Sequence, residues 1–294
     1  MRKDWLLPRL AALVPVMMWG TSFIASKTML AYTTPVCLMW LRFLIAYAVL
    51  WVLHPKWKLC GKDEAMFLLL ALFSNTVYFL AENNALKYTQ TTNVSIIVAT
   101  APLLSALLTF LLHGERITRR QLVCYVVALL GAALVILNGV FVLHLNPLGD
   151  LLALGAAVCW TLYGLLVRRY TDKYNSFLLS RKLMFYGLLS AAPLLLGEGG
   201  LQDLGALLQP KPLLNLLFLG VGCSGISYVL WNVAIRRLGL IRTAAYLYFN
   251  PLFTLLAAAL LLGEPITPMG LLGVALVIGG MVMSAPRQKE GEPA

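Results

Sequence analysis

Two ionisable side chains of opposite sign stand inside otherwise apolar runs of this chain. Arg42 lies about seven residues into the run 35–53, roughly 10 Å deep if that run is helical. Glu82 lies near the far end of the run 65–85. A charge in hydrocarbon is costly, so each must face protein or water and find a partner. Glu82 is the carboxylate placed to reach Arg42. As a pair they could clamp a substrate carboxylate or couple transport to protons. The structural alternatives are an ion pair that only ties helices together, or an arginine reaching for the surface.

A second group is aromatic. Trp19, Tyr78, Trp160, Tyr163, Tyr186, Tyr228, Trp231, Tyr246 and Tyr248 all sit in apolar runs, and ring faces suit flat or cationic ligands. Tyr228, Trp231 and Asn232, at i, i+3 and i+4, share one helical face. That face either lines a cavity or packs with an interhelical hydrogen bond. Asn83, Asn232 and Asn250 are the amides of most interest as ligand contacts. Pro102 and Pro251 interrupt two runs and free the carbonyls of Val98 and Leu247. Such a break serves as a hinge, as an acceptor for a ligand, or as a kink satisfied by its neighbours. Arg181 and Lys182 are read as membrane-surface anchors. Glu115 and Glu264 are read as capping or pairing residues with no part in transport, and His54, His113 and His144 form no proton relay.

Other chemistries lack their residues. The sequence contains no H-E-x-x-H, no G-x-S-x-G, no paired intramembrane aspartates and no phosphate-binding G-x-x-x-x-G-K-[ST]. Cys37, Cys60, Cys124, Cys159 and Cys223 are widely spaced with no C-x-x-C pair and read as buried thiols. No catalytic residues, no metal and no cofactor are expected, and a channel filter or charged ring is not visible.

The elements that must position these residues follow from composition. Of 294 residues 60% are apolar and 12% charged, and the mean hydropathy is +0.82. A soluble domain runs nearer 45–50% apolar and about 25% charged, so a cytosolic enzyme, a disulfide scaffold and a disordered chain are excluded. A helix needs about 20 apolar residues to cross the bilayer. Runs at about 10–31, 35–53, 65–85, 92–112, 121–138, 149–167, 176–196, 213–235, 243–262 and 269–285 predict ten spans, the first read as an uncleaved span. With the N-terminus inside, 19 of the 23 Lys and Arg fall on the inner side; only Lys27, Lys87 and Lys211 fall on the outer, and Arg42 lies within a span. Both termini are then cytoplasmic, and the formal charge of +11 calls for anionic lipid and not for nucleic acid.

The chain also repeats itself. An offset of 149 residues places Pro102 on Pro251, Gly114 on Gly263, Ile117-Thr118 on Ile266-Thr267, and Asn83 on Asn232. An offset of 141 sets Trp19 on Trp160 and Lys27 on Arg168. The repeats are 10–138 and 149–285, with a cytoplasmic tail at 286–294. Each repeat holds five helices, an odd number, so the second copy must insert upside down. The loops agree: Arg116, Arg119 and Arg120 follow Glu115, whereas the equivalent segment after Glu264 reads Pro-Ile-Thr-Pro. Inverted repeats of this kind build secondary transporters with a site near the midplane.

These residues resemble the drug/metabolite transporter superfamily in its ten-helix, EamA-type branch. The resemblance rests on Met18-Trp19-Gly20-Thr21-Ser22-Phe23, Leu41-Arg42-Phe43, Ala85-Leu86-Lys87-Tyr88-Thr89, Pro102 and Gly114-Glu115-Arg116-Ile117. In the second half it rests on Asn250-Pro251-Leu252 and Leu262-Gly263-Glu264-Pro265-Ile266. Trp160-Thr161-Leu162-Tyr163 departs from the opening motif by lacking its glycine. The resemblance implies an all-α, ten-span carrier of the plasma membrane with a central cavity, often exporting small metabolites such as amino acids or related amphipathic compounds. Import or facilitated passage of another metabolite or drug is the alternative, and an intramembrane enzyme or channel the remote one. Expected partners are a small-molecule metabolite and the lipid bilayer, with a homodimer left open.

Overall fold

The computed structural model describes residues 6–56, 58–89, 91–114, 118–137, 146–198, 201, 204–263 and 265–284. Among the described residues the regular structure is entirely helical. Nine helices are long and apolar enough to cross a membrane: α1 (Leu6–Met29), α2 (Pro35–Leu53), α3 (Asp63–Tyr88), α4 (Val94–Leu112), α5 (Arg119–Leu137), α6 (Pro147–Lys173), α7 (Ser176–Gly197), α8 (Pro210–Leu238) and α9 (Leu240–Leu261). A shorter apolar helix, α10 (Pro268–Met283), follows.

Local sequence sets the ends. Thr34 caps α2 by accepting a hydrogen bond at Oγ1 from Cys37 N (3.1 Å), with Pro35 in the first turn. Asn146 and Asn175 cap α6 and α7 in the same way, accepting from Gly149 N (3.1 Å) and Phe177 N (2.8 Å). Gly114 and Gly263 stop α4 and α9 in the left-handed region, with φ of +68° and +69°, where a glycine carries no Cβ penalty. Leucines just before these stops, Leu111 and Leu112 on α4 and Leu260 and Leu261 on α9, are largely exposed to the surroundings. Apolar side chains in that position are stable in hydrocarbon and not in water.

Packing exchanges the two halves. Helix α1 packs on α8 and α9, and α6 packs correspondingly on α3 and α4. Helix α2 also packs on α8, and α7 correspondingly on α3, while the pairs α2 with α7 and α5 with α10 join equivalent helices of the two halves. The α5–α10 backbones approach closely. A Cβ on Gly131 would sit 2.7 Å from Gly273 O, and one on Gly280 would sit 2.7 Å from Cys124 O. The 149-residue offset converts the first contact into the second, so the seam has internal two-fold character. Small residues of this kind let helix backbones meet where no hydrophobic force between helices operates.

Both halves also loosen the helix at equivalent places. Helix α3 contains a π turn at Leu72–Thr76, and α8 contains one at Phe218–Ile226. The offset carries residues 72–76 onto 221–225, inside the second π segment. A π turn opens the hydrogen-bond ladder and exposes carbonyls.

The seam is testable. Gly273→Val forces a side chain into Gly131 O (2.6 Å) and Val135 N (2.6 Å). It is expected to cost about 1–3 kcal/mol or more by overpacking, read as a lower unfolding midpoint in detergent. Gly279→Ala, where nothing lies within 4 Å, is expected to leave the midpoint unchanged or raise it slightly.

Candidate functional site

The centre of the bundle is a cluster of rings. Trp19 of α1 and Trp160 of α6, matched by the repeat, meet edge to face with centroids 5.1 Å apart. Tyr228 stands 6.0 Å from Trp19 and 5.9 Å from Trp160, and Tyr78 stands 5.5 Å from Trp160. Such contacts contribute roughly 0.5–1.5 kcal/mol each beyond area burial. The rings are also anchored by polar ends. Trp19 Nε1 donates to Cys223 O (2.9 Å) and the Tyr228 hydroxyl donates to Ser74 O (2.7 Å). Cys223 and Ser74 are equivalent under the 149-residue offset and both lie in π turns. The carbonyls opened by the π turns are therefore satisfied by aromatic side chains.

The charged residues lie beside this cluster. Arg42 is buried, donates from Nε to Ser224 Oγ (2.9 Å) and lays its guanidinium over Phe79, 4.2 Å from the ring centre. Glu82 is buried too, with the Tyr78 hydroxyl as its hydrogen-bonding neighbour and the Arg42 charge acting on it. Their charged atoms do not come within the 4.0 Å of a direct ion pair. In the second half the offsets place Leu183 and Trp231 where Arg42 and Glu82 stand. The scaffold around Arg42 is preserved even so: Asn75 Nδ2 donates to Leu183 O (2.8 Å), the counterpart of the Arg42–Ser224 contact.

Between these groups lies a cavity of about 540 Å³, within the usual range for small-molecule sites. Trp19, Arg42, Tyr78, Phe79, Glu82, Trp160 and Tyr228 form its inner wall. It extends to the ends of α1 and α5, where Lys27, Thr28, Val135 and Ile136 line it. Two broken helices face it at matched positions. Helix α4 breaks at Ala99-Thr100 and restarts at Ala101-Pro102; α9 passes through a 3-10 turn, Tyr246–Phe249, before Asn250-Pro251. Val98 and Leu247 both line the cavity, and so does Asn250, whose buried Oδ1 has no hydrogen-bond partner. Thr254 Oγ1 donates to Gly20 O (2.6 Å), holding α9 against α1. A Cβ on Gly20 would lie 2.6 Å from Asn250 O, so the glycine after Trp19 is what admits the broken helix.

Eight of the residues singled out by sequence thus share one cavity wall: Trp19, Arg42, Tyr78, Glu82, Trp160, Tyr228, Asn250 and Pro251. Others stand behind it. Tyr163 donates to Asn232 Oδ1 (2.9 Å), and Asn232 Nδ2 donates to Ser180 Oγ (3.1 Å). Trp231 packs behind Trp19 at 5.1 Å, Asn83 Nδ2 donates to Pro35 O (3.3 Å), and Pro102 is buried off the wall. Sequence reasoning passed over Phe79 and Lys27 as contributors to the cavity wall. Phe79 carried a signal, standing three residues before Glu82 on the same helical face. Glu115 and Glu264 lie outside the described residues.

One expectation needs correction. Arg181 and Lys182 are not surface anchors: both are buried at the start of α7. Lys182 Nζ pairs with Glu64 Oε1 (2.7 Å), and Glu64 also accepts from the Tyr186 hydroxyl (2.6 Å) and Cys60 N (2.8 Å). Arg181 donates to the carbonyls of His54 and Lys56 and lies over the Trp51 ring. Nearby, Asp63 pairs with Lys173 and accepts from the Tyr174 hydroxyl (2.6 Å). The loop before α3 is thereby tied to α6 and α7. Glu64 and Glu82 belong to the same helix, 18 residues or about 27 Å apart along its axis, so this tie closes the end of the bundle opposite the one the cavity reaches.

A bundle of membrane-crossing helices around a buried polar cavity, with helices broken at its wall, defines a multi-pass membrane transporter. The chain belongs to the EamA-like transporter family, whose profile matches residues 7–137 and again residues 147–285. It is 28% identical over 281 residues to an uncharacterised transporter of Archaeoglobus fulgidus, covering 94% of this chain and 96% of that one. It is 26% identical to a protein of Salmonella typhimurium named "Probable amino-acid metabolite efflux pump", covering 96% and 95%. It is 28% identical to a "Probable terminal-alkyne amino-acid exporter" of Streptantibioticus cattleyicolor, covering 81% and 77%. A crystal structure at 18% identity has the same fold, with a TM-score of 0.80 over 97% of this chain and 99% of that one.

The tie at the far end yields a prediction. Glu64→Gln replaces the charge-assisted bond to Lys182 by a neutral one and is expected to cost about 1–3 kcal/mol, read as a fall in the unfolding midpoint. Glu64→Gln combined with Lys182→Met removes both charges and is expected to recover most of that loss.

Proposed function

We propose that this protein is a secondary transporter that exports a small amphipathic metabolite, an amino acid or a related compound, by alternating access between two inverted five-helix halves. The observation that carries this reading is the single cavity in which Arg42 and Glu82 stand beside the Trp19, Trp160 and Tyr228 rings. Charged groups suit the polar end of such a metabolite and the rings suit its apolar end. The two relatives named for amino-acid efflux support the substrate class and the direction.

The rest of the reading follows from orientation. With the basic segments inside, the cavity reaches the outer ends of α1 and α5, and the Glu64–Lys182 tie closes the cytoplasmic end. Both termini are then cytoplasmic. The repeat-exchanging contacts of α1 and α6 support a second arrangement in which the roles of the two ends are reversed. The broken helices α4 and α9, with Pro102 and Pro251 at equivalent places, are the natural hinges of that exchange. Among the described residues Glu82 is the one carboxylate in the cavity wall, which argues for facilitated exchange at least as much as for a proton relay.

Metabolite profiling of the medium of cells overexpressing the protein tests the reading. The comparison is with a Trp160→Ala, Tyr228→Ala variant expressed at equal level. The expected result is an amphipathic metabolite accumulating outside only with the intact protein, reduced about tenfold or more in the variant, because two stacking surfaces are lost. Equal accumulation with the double variant would move the binding site elsewhere. Depletion of the medium would reverse the direction.

A further inference from the structure

We infer that Arg42 and Glu82 bind the carboxylate and the ammonium of one zwitterionic α-amino acid at the same time, and that Glu82 is the residue that selects amino acids over simple carboxylates. This rests on the transporter reading above and names how its cavity recognises cargo.

The argument starts from the cost of two buried charges. Arg42 is 1% exposed and Glu82 5% exposed, in a bundle that sits in hydrocarbon. Charges so placed need compensation, and the shortest route would be a direct ion pair. The structure does not take it. Arg42 is fixed from two sides, by Ser224 Oγ at Nε and by the Phe79 ring beneath, and Glu82 is held at the Tyr78 hydroxyl. Both therefore address the space between them without closing it. A group that fills that space and satisfies both must carry a negative and a positive end a few ångströms apart. An α-amino acid has that arrangement. A monocarboxylate would leave Glu82 uncompensated, and a primary amine would leave Arg42 uncompensated.

The broken symmetry of the cavity sets the orientation. Trp19 and Trp160 are equivalent and flank the centre, but the positions equivalent to Arg42 and Glu82 hold Leu183 and Trp231. The buried charges stand on the side of α2 and α3, and the rings of Trp160 and Tyr228 line the same cavity from α6 and α8. The amino acid therefore lies with its backbone groups against α2 and α3 and its apolar side chain among the rings. Lys27 lines the far end of the same cavity and is exposed, where Arg42 is buried.

Counterflow in proteoliposomes tests this with radiolabelled phenylalanine and leucine as cargo. The competitors are the matched carboxylates lacking the amine, 3-phenylpropanoate and 4-methylpentanoate, and the matched amines lacking the carboxylate. In the wild type each amino acid is expected to compete at least about tenfold better than either analogue, since losing a partner to a buried charge is costly. Glu82→Gln is expected to raise the half-saturating amino-acid concentration about tenfold while leaving carboxylate competition within about threefold, so that the two converge. Arg42→Gln is expected to bring the amino acid and the amine together instead, and Arg42→Lys to restore part of the difference. Ligand-free unfolding midpoints of the variants separate misfolding from altered recognition. Equal competition by all three compounds in the wild type overturns the assignment and leaves the export reading standing. A uniform loss of all three in properly folded Glu82→Gln also overturns it. Failure of the wild type to carry either amino acid overturns both.

Discussion

Hydrocarbon offers no water to an opened helix, and every backbone polar group inside it must find a protein partner. Much of the interior of this molecule answers that one constraint. The two halves open their helices at equivalent places, in the π turns of α3 and α8 and the breaks of α4 and α9. Each π turn is met by a side chain from elsewhere: Tyr228 donates to Ser74 O and Trp19 donates to Cys223 O. The same side chains then have nowhere to go except the centre of the bundle. The aromatic cluster is thus both the repair of the irregular backbone and the wall of the cavity.

This double duty separates the residues that touch the cavity from those that hold its shape. Tyr163, Asn232 and Ser180 form a buried relay of hydrogen bonds behind Trp160, joining α6, α8 and α7. A satisfied network of this kind contributes about 0.5–1.5 kcal/mol per bond, and costs more when one member is removed than it gives when present. It holds Tyr163 in place against Trp160, with ring centroids 5.3 Å apart. Rigid rings with fixed polar ends pre-organise a site and reduce the ordering cost of binding.

Much of this was legible in the residues. The repeat offsets, the span count to within the shorter α10, and the pairing of Trp19 with Trp160 all follow from types and spacing. So did the company of Arg42 and Glu82, because the cost of a charge in a span leaves few places for it. What failed was the reading of Arg181 and Lys182. Counting basic residues by loop registers which side of the membrane they occupy, and both did fall near a predicted inner end. It carries no information on whether a charge faces lipid headgroups or a carboxylate on another helix, and Glu64 was 118 residues away in the chain. Asn232 shows a related limit. Helical periodicity puts it on one face with Tyr228 and Trp231, but whether that face meets a cavity or a neighbour depends on α6 and α7. The π turns left no periodic signature, since these spans are apolar on nearly every face and a change of register has no polar stripe to displace.

Duplication and recognition make opposite demands on such a chain. In the alternation proposed above, two interchangeable halves supply two arrangements of comparable energy, and the seam of Gly131, Gly273, Gly280 and Cys124 has the two-fold character that this proposal uses. A symmetric cavity, however, would offer the same chemistry to both ends of a ligand. The substitution pattern resolves the conflict by position. Matched places keep their contacts even where the residue types differ, as with Asn75 against Leu183 O and Ser224 against Arg42. The charge does not follow the repeat: Arg42 and Glu82 line the cavity, whereas their counterparts Leu183 and Trp231 are apolar and stand off its wall. The departure from symmetry in charge is what distinguishes the two sides of the cavity.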